Sequence, residues 1–161
     1  MASSVLLIFQ FLSLCIWVGS SFAIFVIVAP PIFRNTSSER LAGELMSPIL
    51  QRFAAIFIPN AFLLLVSFYL QLIALDSSVG LKLRVVMALV SVGLVVAAYE
   101  KIRLGNRINV LRRRLAALTS EGLENHDDRR EFSSLHRQSM ALFAINFFVG
   151  VAIVFILIIP L

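Results

Sequence analysis

Glu100, Lys101, Arg103 and Arg107 stand where one long apolar run gives out, and His136 and Ser139 stand where the next begins. Arg34, Arg40 and Arg52 are expected at the same level. A carboxylate, an imidazole, a hydroxyl and several guanidinium groups at one depth make either a structural cluster of ion pairs or a binding site. The ion-pair cluster is the simpler reading, because charged residues at helix ends snorkel and pair. On that reading Glu100 meets one of the arginines across a bundle.

Other chemistry lacks its parts. The two histidines, His126 and His136, lie ten residues apart on one segment, whereas bis-histidine haem ligation needs two at matched depth on facing helices. Zinc needs three or four ligands, and Cys15, the single cysteine, sits far away in an apolar run. Cys15 cannot form an intramolecular disulfide and reads as a small core residue. No glycine-rich phosphate loop and no pocketed acidic pair occurs, and Asp127 and Asp128 suit a helix start. No cofactor, metal or catalytic residue is expected.

A second polar set lies inside the apolar runs: Ser20, Ser21, Ser67, Ser91 and Asn146 near their middles, Asn60 and Gln71 nearer the ends. Polar groups in lipid are costly and demand partners. They serve either as packing glue between helices or as a narrow path for a solute. Since none is ionisable, glue is favoured. Gly19 with Ala23, and Gly93 with Ala97, are small pairs four apart that permit close helix contact. Asn146 and Gly150 share a face in the same way. Trp17 lies deep for a residue that prefers the interface, so it is expected to turn inward with its indole N–H on a neighbouring helix.

These residues must be positioned by membrane helices. The chain has 161 residues, 60% hydrophobic and 14% charged, with a mean hydropathy of +0.95. Soluble domains are roughly half apolar and a quarter charged. A run of about 20 apolar residues crosses a bilayer core. Four stretches qualify, at about 5–33, 48–75, 81–100 and 137–160, within a single domain over 1–161. They must be helices, because an isolated strand leaves its backbone unsatisfied in lipid and no barrel-like alternation is present. The beginning of the chain lacks a basic n-region and its apolar run outlasts an h-region, so it reads as a retained first helix.

Net charge is +5, with 14 Lys and Arg against 9 Asp and Glu. Twelve of the 14 basic residues lie in the segments joining spans one to two and three to four, or at the start of span two; only Lys82 and Arg84 lie on the other side. The positive-inside bias puts the basic side in the cytoplasm and both termini outside. The same excess is explained by anionic lipid headgroups, and a nucleic-acid partner is not expected. Short loops point to a bacterial inner membrane. Asn35-Thr36-Ser37 matches a glycosylation acceptor, but on this topology the match is accidental. Ser37, Ser38 and Glu39 read as the start of a short interfacial helix ending near Met46, ahead of Pro48.

Beyond the third span Leu104, Ile108, Leu111, Leu115 and Leu118 form one apolar seam, at steps of four and three. A helix continuous from Leu81 to Leu118 would be about 57 Å long at ~1.5 Å per residue. It should pair over 101–136 with the start of the last helix, which brings Phe132 and Leu135, as an antiparallel cytoplasmic hairpin. Arg107, Arg112, Arg113 and Arg114 are its candidate contacts to lipid phosphate or a partner protein. Three adjacent arginines cannot share one helix face, so as a unit the triplet reads as a solvated surface.

Trp17-Val18-Gly19, Ala29-Pro30-Pro31-Ile32-Phe33, Arg40-Leu41-Ala42-Gly43, and Phe132 with Leu135-His136 and Ser139 occur in that order. Together they resemble the family of domain of unknown function 4149, which includes transmembrane protein 205 and is distantly similar to copper resistance protein D. The resemblance implies a four-helix membrane fold and links to drug or metal tolerance, without a settled biochemical role. The shortage of histidine and cysteine here runs against metal transport. By resemblance, Arg40, Gly43, His136 and Ser139 are the positions expected to matter, gathered with Glu100 at the basic mouth of the bundle. The sequence therefore favours a non-catalytic structural or accessory subunit, docked on a larger membrane assembly or on copies of itself. A small-solute or metal permeation protein is the alternative, and an enzyme ranks third.

Overall fold

The computed structural model describes residues 2–37, 39–74, 80–120 and 126–159. Helix makes up 98% of them, and no strand occurs among them. Four helices are long and apolar enough to cross a membrane: Ser4–Asn35, Leu41–Ala74, Gly80–Leu115 and Arg130–Ile158. The chain is an all-α integral membrane protein.

The first span is α1 (Ala2–Phe22), a π-helical stretch Ala23–Val28, and α2 (Ala29–Asn35). The π stretch has a local cause in Pro30 and Pro31. A proline lacks the N–H donor, and its ring crowds the carbonyl four residues earlier. Widening the preceding turn relieves this, and the Ala29 N–H reaches the Ile24 carbonyl, five residues back. Thr36 ends the helix in extended conformation. Its N–H and its hydroxyl both bond the Ile32 carbonyl, at 3.2 and 2.7 Å.

The second span, α3 (Glu39–Ala74), runs unbroken through Pro48 and Pro59. The break expected ahead of Pro48, with a separate interfacial helix, does not form. Each proline removes one hydrogen bond, a loss that membrane helices tolerate, and both rings lie on exposed faces, away from the packed interior. The third span is α4 (Gly80–Tyr99), which passes through a second π stretch, Glu100–Gly105, into α5 (Asn106–Ser120). The fourth is α6 (His126–Ile158). α4 packs against both α3 and α6, and α1 lies across α3 and α6 from the other side.

Large apolar side chains such as Phe11, Ile56, Val95 and Phe148 are exposed on the outer faces, where lipid tails solvate them. Inside, the bundle closes on Trp17, which is fully buried. Its indole N–H donates to the Asn146 main-chain carbonyl at 3.3 Å, and its ring meets Phe57 edge-on at 4.7 Å. Two glycines make room for it. A Cβ at Gly93 would fall 2.7 Å from the indole ring, and one at Gly150 would fall 3.0 Å from its nitrogen. The inward turn expected of Trp17 is what the fold contains.

Two expectations fail at the same depth. Gly19 has open space around it and faces outward, so among the described residues it makes no close helix contact. Cys15, read as a core residue, is exposed on the outer face of α1. Position in an apolar run does not say which way a helix turns, because lipid and core are equally apolar.

The hairpin seam forms as expected. Leu104, Ile108, Leu111 and Leu115 bury themselves against Phe132. The side chain of Leu118 lies outside the described residues. Arg107 donates to Glu131 across the pair, with Nε to Oε1 at 2.7 Å.

Candidate functional site at the basic end of the bundle

Several polar residues within the apolar runs bond directly to neighbours. Asn60 Nδ2 donates to the Ser13 carbonyl at 3.1 Å, tying α3 to α1. Gln10 and Gln71 tie the same helices through a 2.9 Å bond. Ser67 and Ser91 donate to carbonyls of their own helices, Leu64 and Met87, at 2.7 and 2.8 Å. The side chain of Asn146 is buried, and its Oδ1 accepts no hydrogen bond among the described residues. The tie to Trp17 runs instead through the Asn146 main chain. Asn60 and Ser91 are therefore separate local solutions, whereas the Asn146 side-chain oxygen has no partner among the described residues.

A cleft opens where α3, the second π stretch and α6 diverge. Glu100, first residue of that stretch, puts its carboxylate against α6, and the Ser139 hydroxyl donates to Oε1 at 2.5 Å. Ser139 is buried, and His136 stands one helical turn before it. Ser47 and Gln51, one turn apart on α3, supply the facing wall. Gln51 Nε2 also donates to Asn109 Oδ1 at 3.1 Å. Leu50, Ala54 and Ile108 make the apolar flanks. The cleft gives the centres of water-sized particles about 30 Å³, enough for about two waters.

Among the described residues no arginine pairs with Glu100, whose partner is Ser139; the side chain of Arg40, one of the expected partners, lies outside them. The reason is geometric. Glu100 points inward toward α6, whereas Arg103 and Arg107 are exposed on the outer faces of the same helix.

Gly43 explains how α3 comes so close to α6. A Cβ there would lie 3.3 Å from Phe132 and 3.8 Å from the His136 ring. Phe132 and His136 are parallel, with centroids 6.4 Å apart, and Phe33 approaches His136 from the first span at 6.1 Å. The fold thus gathers Gly43, Glu100, His136 and Ser139 at one end of the bundle. Arg40 belongs to the first turn of α3, but its side chain lies outside the described residues, as does that of Arg112. Arg113 and Arg114 are exposed on α5. Ser47, Gln51 and Asn109 are site residues that the sequence reading missed. Ser47 and Gln51 at a spacing of four, with no other polar residue between them, were the available signal.

Among the described residues no three His, Cys, Asp or Glu side chains cluster as a metal site would need. Comparison with curated proteins and with solved structures returned no match. One family model matches, over residues 12–117, that of a domain of unknown function, DUF4149. The match runs from the middle of α1 through most of α5 and stops short of α6, so Phe132, His136 and Ser139 lie beyond it. Since the matched segment covers well over half of the chain, this four-helix membrane protein belongs to the DUF4149 family.

Proposed function

We propose that the protein is a non-catalytic structural or accessory subunit of a larger membrane assembly. The observation that supports this reading is the interior: among the described residues Asn60 bonds to a neighbouring helix and Ser67 and Ser91 to their own, so these side chains are spent on packing. What the bundle offers is its outside, broad apolar faces and an arginine-rich hairpin. On the positive-inside bias the hairpin faces the cytoplasm with both termini outside, and the short loops favour a bacterial inner membrane. The third span is 36 residues, about 54 Å against an apolar core of about 30 Å, so its far end extends past the lipid. There Arg107, Arg113 and Arg114 meet anionic headgroups or a partner.

The test is the native mass of the protein after gentle detergent extraction from its own membranes. Co-migration with a much larger complex supports the accessory role. Migration alone, or as a small homo-oligomer, sinks it. A second reading, permeation of a small solute, draws on the cleft, which gives a solute a polar seat at one end. Flux in liposomes that is abolished by changes at Ser139 and at Asn60 would favour it.

A further inference from the structure

We propose that the cleft between α3, the second π stretch and α6 binds a primary ammonium group, carried by a phospholipid headgroup or by a small soluble amine. This is independent of whether the protein sits in a larger complex. The starting point is Glu100. Its carboxylate faces into the bundle where the apolar run of α4 ends, and among the described residues its one bond is from the Ser139 hydroxyl. A carboxylate removed from bulk water calls for a positive partner or several donors. The chain carries 14 basic residues, yet the described ones put none on Glu100. Lys101, at the lip, is exposed.

The shape and chemistry of the cleft select among cations. It has room for a group the size of about two waters, which fits a terminal CH2–NH3+. An ammonium has three N–H donors. Glu100 accepts one as a charge-assisted bond, and the hydroxyl oxygens of Ser47 and Ser139, both on the lining, offer acceptors for the others. Leu50 and Ala54 flank the position of the carbon stem. A divalent metal ion is a poor fit, because calcium takes six to eight oxygen ligands and the described lining supplies a single carboxylate. A quaternary ammonium has no N–H to donate and is held by aromatic cages, and among the described residues no Phe, Tyr or Trp lines the cleft. Glu100 stands at the junction of the apolar run with the charged segment Glu100-Lys101-Ile102-Arg103, the level of lipid headgroups. Lys101 at the lip suits the phosphate that follows the amine in an ethanolamine headgroup.

The full chain is reconstituted in phosphatidylcholine vesicles containing a small share of phosphatidylethanolamine. It is then extracted in mild detergent, and the retained lipid is quantified by mass spectrometry. The expected result is enrichment of the ethanolamine lipid over its trimethylated counterpart by about tenfold, equivalent to ~1.4 kcal/mol. Glu100→Gln should abolish the enrichment and Ser139→Ala should reduce it. In parallel, ethanolamine and choline are added to protein in phosphatidylcholine alone. A rise in the thermal midpoint with ethanolamine and none with choline supports the ammonium site with a soluble amine as its source. Lipid enrichment without a response to ethanolamine supports the same site with the lipid as its source. Equal retention of the two lipids together with no response to ethanolamine overturns the proposal, as does enrichment that survives Glu100→Gln. The comparison of methylated with unmethylated amine uses the unaltered protein, so it stands even if Glu100→Gln fails to fold.

Discussion

The middle of the bundle and its basic end solve opposite problems with the same helices. Around Trp17 the helices are drawn together until glycine is required on two of them, and the indole N–H finds a main-chain carbonyl. Around Glu100 the helices part, and a carboxylate, two serine hydroxyls and an imidazole line an opening. The first arrangement maximises contact and excludes water. The second leaves a small opening lined by polar groups. Gly43 sits between these extremes, since it lets α3 approach α6 against Phe132 with a few tenths of an ångström less crowding than Gly93 relieves. The difference shows that stability and any binding capacity are separated along the bundle axis, so changes at one end should not read out as changes at the other.

The sharpest way to break that separation is at Trp17. Trp17→Ala should lower unfolding stability by ~3–5 kcal/mol, measured by thermal or denaturant unfolding in detergent, because a fully buried aromatic leaves a large cavity. A loss below about 1 kcal/mol would mean that the middle is not the tight region described. Gly93→Ala comes next, at ~1–3 kcal/mol for overpacking, since the added methyl collides with the indole. Gly19→Ala is its partner control. The same substitution at a glycine with open space around it should stay within ~0.5 kcal/mol.

At the other end, Gly43→Ala should cost ~1 kcal/mol or less, because the Phe132 ring can shift to make room. A circular-dichroism melt in nanodiscs would check it, and a cost equal to that of Gly93→Ala would erase the contrast between the two regions. The smallest effect belongs to Arg107→Ala. Its bridge to Glu131 joins side chains that are 66% and 37% exposed, and exposed pairs contribute ~0–1 kcal/mol and are screened by salt. If the loss vanishes in high salt, the pair is only electrostatic. If it persists, packing of the arginine stem over the hairpin seam is involved.

Asn146 shows how sequence and structure divide the work. Its type and depth marked it as glue, and the position is indeed a junction, but the bond is made by its carbonyl and not by its side chain. Amino-acid type carries no information about main-chain carbonyls, since every residue has one. Asn60 behaved as its type implied, with a side-chain bond across helices.

Glu100 and the glycines mark the same boundary. The four apolar runs, the seam from Leu104 to Leu115 and the inward Trp17 were all legible, because each follows from period, length or the cost of a polar group in lipid. The gathering of Gly43, His136 and Ser139 was legible as well: family resemblance named the positions, and their places along the spans put them at one level. That Glu100 turns to Ser139 was not, since a rotation of one helix decides it. Nor could sequence separate Gly93, pressed on an indole, from Gly19, facing lipid. The sequence by itself determined that there are four helices, where they run and which end carries the charge, because transfer of apolar and charged groups between water and lipid depends on composition alone. Only the tertiary structure decided which faces meet, since in a bilayer the core and the surroundings are equally apolar and shape, not hydrophobicity, sets the rotation of each helix.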